Sequence, residues 1–444
     1  MGQDTIAAIS TALADGAISI VRMSGDEAIS IANRLCKQDL NKALSHSITY
    51  DHIIDPLKNE VIDEVMIAVF RSPKTFTRED VVEINCHGGT YVTRRILQLC
   101  LAQGARLANR GEFTRRAFLN GRIDLTQAEA INDIIEAKAA SNASLAIQGI
   151  QGSVRKLLDP LIQEVLDIVA NIEVNIDYPE YDDVVQLTND VLLPKAKHWL
   201  SEIDEILKRS ESGKIVKEGI KTAIIGKPNV GKSSLLNALL EEDKAIVSSI
   251  AGTTRDIVEG SIRLENITLH LIDTAGIRET QDTIEKIGIE RSLKAIEQAQ
   301  LVIVVLDSSR DLDEQDQELL ELTKDKTRII VYNKEDQKTL NHDGISISAT
   351  QNQISQLIKE IHRLYDQHLI VLHEPTLAND RQIALMMKAK DAMMNAYQAM
   401  QAGYELDLVT IDIQEAYTAL KEILGEVHRE DLLDTLFSNF CLGK

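Results

Sequence analysis

The stretch GKPNVGKSS (226–234) follows the apolar run KTAII and leads into SSLLNALL. It has the pattern G-x-x-x-x-G-K-S, placed between a run of strand character and one of helix character. In such a loop the glycines let backbone N–H groups curl around phosphates. Lys232 then reaches the β/γ oxygens, and the Ser233 hydroxyl takes Mg²⁺. A loop of this kind needs a parallel strand behind it and a helix in front. The residues around it keep that rhythm. From about 216 to 372, LHLIDT, LVIVVLD, RIIVYNK and ISIS alternate with helical stretches, so βαβ units and a mostly parallel sheet are expected.

Two further motifs follow in order. DTAG (273–276) comes 41 residues after Lys232. Its Asp273 can hold the Mg²⁺ shell from a strand end, and the Gly276 amide can sense a γ-phosphate. NKED (333–336) closes the run RIIVY, and Asp336 can accept N1–H and the exocyclic amine of guanine, a pair adenine does not offer. Between them lies SSIAGTTRD (248–256), where Thr254 suits a second Mg²⁺ ligand. The nucleotide contacts expected are Asn229, Val230, Gly231, Lys232, Ser233 and Ser234 in the phosphate loop. Ser248, Ser249, Ile250, Ala251, Gly252, Thr253 and Thr254 follow, then Asp273, Thr274, Ala275 and Gly276, and finally Asn333, Lys334 and Asp336. Ile277 stands where many GTPases place a water-orienting Gln, so another group must orient the water.

The flanks have other textures. Residues 1–120 mix β-branched runs such as AISIVRM and DVVEINC with helical segments, which reads as a small α+β domain. Residues 121–215 are helical; Leu158, Leu161, Ile162, Val165, Ile168, Val169 and Ile172 recur at three- and four-residue spacing. Helical texture returns over 376–444, with a Met- and Ala-rich stripe that suits core packing. A helical domain interrupted by an α/β domain at 216–375 is the simplest division. At 444 residues the chain is long enough for two or three domains.

The net charge is −21, yet residues 1–125 hold 15 basic and 15 acidic side chains. Over 88–122, Arg94, Arg95, Arg106, Arg110, Arg115, Arg116 and Arg122 face Glu112 alone. They form either a solvated basic face or a phosphate-contacting patch. Cys36, Cys86, Cys100 and Cys441 show no metal-ligand or disulfide spacing. The longest strong apolar run, LVIVVL, is strand-sized, and the opening residues carry no leader pattern, so a cytoplasmic protein is expected.

Along nearly its whole length the chain resembles the MnmE (TrmE) family, the tRNA-modifying GTPases. The resemblance is carried by DTIAAIS, VRMSG, NCHGGT, GEFTRRAFLNGRIDLTQAEAI, the GTPase motifs and the final Cys-x-Gly-Lys. It implies a Ras-like G domain inserted in a helical domain, behind an N-terminal domain similar to folate-binding folds. It further implies a K⁺-stimulated GTPase whose G domains face each other in a homodimer. Asn229 would hold K⁺ with Ser248, Ile250 and Thr253, and Glu285 would orient the attacking water. The family adds a carboxymethylaminomethyl or aminomethyl group to C5 of the tRNA wobble uridine. An FAD-dependent MnmG-like subunit, forming a heterotetramer, and 5,10-methylene- or 5-formyl-tetrahydrofolate are implied as well. Arg22, Glu83, Arg122 and Lys444 match folate-contacting positions. Arg122 stands where the family often has Lys, keeping charge but changing hydrogen-bond geometry.

Cys441, fourth from the end, raises the alternative of a prenyl anchor. Gly443 and Lys444 suit that signal poorly, whereas the resemblance makes CLGK a functional terminus with Cys441 needed for modification. The main rival is a regulatory or ribosome-assembly GTPase, which would need neither the N-terminal third nor this tetrapeptide.

Overall fold

Side chains on a strand alternate between faces, and in the first 125 residues that alternation builds one sheet. The computed structural model describes the chain apart from residues 1–3, 138, 178–187, 242–257, 265–266, 273–293, 338–343, 370–373, 428–432, 434–435, 438–439, 441–442 and 444. By contacts it forms two units: 1–135 with 150–155 and 418–444, and 136–149 with 156–417.

The first unit opens with β1 (Ile6–Ile9), β2 (Ile18–Ser24) and α1 (Ala28–Asn33). Next come β3 (Ser47–Asp55), β4 (Glu60–Phe70), β5 (Val81–His87) and α2 (Thr90–Ala102). β6 (Arg106–Leu107), α3 (Glu112–Leu119) and α4 (Leu125–Glu136) complete it. The sheet order is β3-β4-β5-β2-β1-β6, antiparallel except for β1 with β6. Val21, Met23, Val82, Ile84 and Cys86 point to one face and pack with Ile31 of α1 and Ile96, Leu99 and Cys100 of α2. Each such fully buried aliphatic side chain contributes about 1.5–3 kcal/mol. The alternate positions face the other way and pair Arg22 with Glu83 across β2 and β5.

Three of the cysteines lie in this unit as free thiols, Cys86 and Cys100 buried and Cys36 half-buried. Burial pushes the Cys36 and Cys100 thiols up to about 12, so they act as small apolar side chains. The C-terminal residues also belong here: Leu433, Phe437 and Phe440 pack on Leu125 and Ala128. Gly111 sits where a Cβ would meet the Phe437 carbonyl and the Phe440 side chain, so the turn before α3 needs glycine.

The second unit contains α5 (Ala140–Ile150), α6 (Ser153–Asp177) and α7 (Leu193–Glu218). Leu158, Leu161, Ile162, Val165, Ile168 and Ile172 are buried along one side of α6, as the spacing expects, and Val169 is half-buried. The fully buried Trp199 of α7 donates Nε1–H to the Leu161 carbonyl at 3.0 Å.

The α/β part then runs β7 (Ile220–Ile225), α8 (Lys232–Glu241), β8 (Val258–Leu264), β9 (Ile267–Ile272) and β10 (Leu301–Asp307). α9 (Glu314–Leu322), β11 (Arg328–Asn333), β12 (Ile345–Ser346) and α10 (Ser355–Leu369) follow. The sheet order is β12-β11-β10-β7-β9-β8, parallel except for the β8–β9 hairpin. β10, the run LVIVVLD, is buried along its whole length, as a central parallel strand must be. α11 (Asp380–Gln401) and α12 (Leu406–Leu424) restore the helical texture. On α11, Met386, Met393 and Met400 are buried at a heptad interval, so the methionine stripe is core. No helix among the described residues is long and apolar enough to cross a membrane.

Candidate functional site

The phosphate loop occupies residues 226–231, between β7 and α8, as the sequence expects. Asn229 and Gly231 take left-handed φ of 65° and 95°, turns in which successive N–H groups can converge on an anion. Lys232 Nζ donates to the carbonyls of Gly226 (2.7 Å) and Lys227 (2.8 Å), and burial pulls its pKa down. A half-buried ammonium held, among the described residues, by neutral carbonyls gains by meeting a phosphate. Lys227 pairs with Asp313, whose side chain caps α9.

The N-K-x-D loop meets the phosphate loop through one side chain. Asn333 Nδ2 donates to the Val230 carbonyl at 2.9 Å, and its Oδ1 accepts from Ala349 N at 3.0 Å. A Cβ on Gly231 would overlap that amide, which explains the glycine. Lys334 pairs with Asp307 at 2.6 Å; Asp307, pushed up by burial, is lowered overall by hydrogen bonds from Lys334 and Ser309. Asp336 accepts from Ser348 Oγ at 2.7 Å, which fixes one carboxylate oxygen. Ser348 and Ala349 were not singled out in the sequence, although SAT follows the run ISI just where a base loop needs bracing.

Ser248, Ser249, Ile250, Ala251, Gly252, Thr253, Thr254, Asp273, Thr274, Ala275, Gly276, Glu285, Cys441 and Lys444 lie outside the described residues.

The first unit holds a cavity of about 560 Å³, and Arg22, Glu83 and Arg122 all line it. Arg22 donates Nε (2.8 Å) and Nη2 (2.7 Å) to the same oxygen, Oε1 of Glu83; Oε2 has no partner among the described residues. Arg22 Nη1 also donates to the Gly443 carbonyl at 3.3 Å, as does Ser10 Oγ at 3.1 Å. The Arg122 guanidinium lies over the Phe76 ring, 5.0 Å from its centroid, and Phe113 lies under Arg22 at 5.8 Å.

The stretch GEFTRRAFLN braces one cavity wall, residues 73–78. Asn120 Nδ2 donates to the Thr77 carbonyl (2.6 Å), and Arg78 Nη1 donates to the Asn120 carbonyl (2.9 Å). The buried Arg116 reaches both oxygens of Glu79 (3.2 Å each), Asp4 Oδ1 (2.7 Å) and Glu112 (3.2 Å). Ser24 Oγ donates to Glu79 at 2.6 Å. Arg106 pairs with Asp4 and Glu112, and Arg95 with Asp55. Three of the seven arginines of 88–122 are therefore internal partners of carboxylates rather than members of one solvated or phosphate-contacting face.

A phosphate loop braced by an N-K-x-D loop on a parallel sheet defines the class: a P-loop GTPase domain. Residues 5–122 match the family described as "GTP-binding protein TrmE N-terminus", and residues 125–441 match "MnmE helical domain". The chain belongs to the MnmE (TrmE) family. It is 49% identical, over 99% of both chains, to the tRNA modification GTPase MnmE of Streptococcus gordonii (strain Challis) and to that of Streptococcus pneumoniae (strain Hungary19A-6). Among solved structures, Aquifex aeolicus Era is similar at 27% identity, covering 39% of this chain and 67% of that chain with a TM-score of 0.25.

Proposed function

We propose that this chain hydrolyses GTP and uses it to modify C5 of the wobble uridine of certain tRNAs. An FAD-dependent MnmG-like subunit and a one-carbon-bearing reduced folate act with it. The observation that carries this reading is the coexistence of two sites in one chain, a guanine-nucleotide loop pair and a 560 Å³ cavity with an ion-paired carboxylate. A regulatory or assembly GTPase needs only the first. We assign the functional parts to 1–120, 121–215, 216–375 and 376–444, in a cytoplasmic homodimer.

In the nucleotide site the glycine cradle and the half-buried Lys232 fit a polyphosphate. Ser233 and Thr254 would hold Mg²⁺; Asn229, with Ser248, Ile250 and Thr253, would hold K⁺. Such cations supply positive charge against the β–γ bridge, the part an arginine plays elsewhere. Asp336, one oxygen fixed by Ser348, keeps the other for the guanine edge. Glu285 orients the water. The described residues also fit a folate: the volume suits a ligand of that size, and Glu83 Oε2 is left to pair with the 2-amino and N3 edge of a pterin. Bound there, the folate supplies the one-carbon unit. Arg22 holds Glu83 in place, Phe113 and Phe76 give apolar walls, and Lys444 joins the ligand's polar end.

Mass spectrometry of wobble nucleosides tests the reading. A strain lacking this gene should lose C5-aminomethyl-type uridines and regain them from the wild-type copy. Normal uridines in the deletion strain would leave only the regulatory reading.

A further inference from the structure

Four cationic side chains line the cavity, Arg22, Lys74, Arg78 and Arg122, against one carboxylate, Glu83. Arg22 is neutralised by Glu83 in the half-buried part of the site. The other three are exposed and have no carboxylate partner among the described residues. Elsewhere in this unit Arg95, Arg106 and Arg116 are each matched to acids. Within the cavity the imbalance therefore lies with the three exposed cations, while Arg22 is balanced by Glu83. Arg78 spends one N–H on the Asn120 carbonyl, which steadies its side chain and leaves the rest of the fork available. Arg122 is held against Phe76, a contact that orients a guanidinium without consuming its hydrogen-bonding edge.

Three uncompensated positive charges exceed what one glutamate tail, with two carboxylates, can match. Each added γ-linked glutamyl residue brings one more carboxylate on a flexible chain. We infer that the cavity selects polyglutamylated over monoglutamylated reduced folates, with Lys74, Arg78 and Arg122 as the tail-binding group. This rests on the folate reading of the cavity given above. Each exposed ion pair in such a rim contributes roughly a two- to fivefold gain in affinity. A monoglutamate tail meets two of the three cations, so a triglutamate adds one further pair and should bind about 2- to 5-fold tighter at low salt. Screening over about 3 Å at 1 M salt should erase the difference.

The test is calorimetric titration of the full chain with 5-formyl-tetrahydrofolate as the mono- and the triglutamate, at low salt and in 1 M KCl. The quantity read is the ratio of the two dissociation constants. The expected result is a ratio of about 2 or more at low salt that falls toward 1 in high salt. Lys74→Gln combined with Arg78→Gln should lower the low-salt ratio toward 1, and retained monoglutamate binding shows that the variant is folded. Lys74→Gln alone, at an exposed position, gives the same comparison with less risk to the fold. Equal constants for the two folates at low salt, with both bound, overturn the inference and leave the folate site standing. Failure of the wild-type chain to bind either folate removes the folate reading and the inference together.

Discussion

Both ends of the Asn333 amide are engaged, one on the phosphate loop and one on the loop that carries Ala349. An alanine there leaves two buried backbone groups unsatisfied, at about 1–3 kcal/mol each. Asn333→Ala should therefore weaken GTP binding by tenfold or more, and also ATP exclusion, as read by competition with a fluorescent guanine nucleotide. Glu285→Ala should slow hydrolysis strongly with GTP affinity unchanged, the pattern of a group that acts on the water. Asn229→Ala should remove the response to K⁺ and keep the affinity. At this scale the sequence was legible where a motif needs a special backbone. Asn229 and Gly231 do take the left-handed turns a phosphate loop demands. Ser348 and Ala349 were not legible, because their task is to brace Asp336 and Asn333, and a brace has no spacing of its own.

The element scale is governed by pairing at a distance. The arginines of 88–122 looked like one cationic surface since their acids lie elsewhere in the chain. Asp4 and Arg116 are 112 residues apart in sequence. Arg116→Met should leave the buried Glu79 without a cation, while Asp4 and Glu112 keep Arg106, and cost about 3–5 kcal/mol, read by chemical denaturation with a probe in the N-terminal unit. The pH dependence has a definite sign. Burial raises the pKa of Glu112, but hydrogen bonds from Arg106 and the Asn109 N–H outweigh it, and the net shift is down. Its stabilising contribution is in full force above about 4.3, the ordinary glutamate value, and is lost as pH falls through the lower folded value. Thermal melts from neutral pH downward should show the wild type losing stability faster than Glu112→Gln. The strands and the α6 stripe, by contrast, were readable directly, because burial on one face writes a period into the residues.

At the scale of the molecule, the α/β part stood out because strand-like runs alternate with helical ones behind a phosphate loop, and β10, apolar from Leu301 to Leu306, is its buried central strand. If the paired-domain reading holds, hydrolysis per chain should fall on dilution below the dimer constant and should fall again when sodium replaces potassium. Steady-state phosphate release at a series of protein concentrations in either salt reads both. The return of the chain to its first unit was implied only by the resemblance, which sets Lys444 beside Arg22 and Glu83; nothing in the residues themselves shows it. Helices carry no mark of which partner they will find, and Gly443 gives no sign that its carbonyl will meet Arg22 and Ser10.

That return has a consequence for synthesis. A sheet whose strands all lie before residue 108 still lacks its last helix and the turn at Gly443 until residues 418–443 have left the ribosome. The 262 residues between Arg155 and Thr418 take about 13–50 s to translate at ~5–20 residues per second. For that interval Phe118, Leu125 and Ala128 wait beside an unfilled seam, while the GTPase part emerges and folds. A nascent chain stalled in that window would expose a sticky, half-finished unit, and that is where a chaperone holding this protein during its birth would bind.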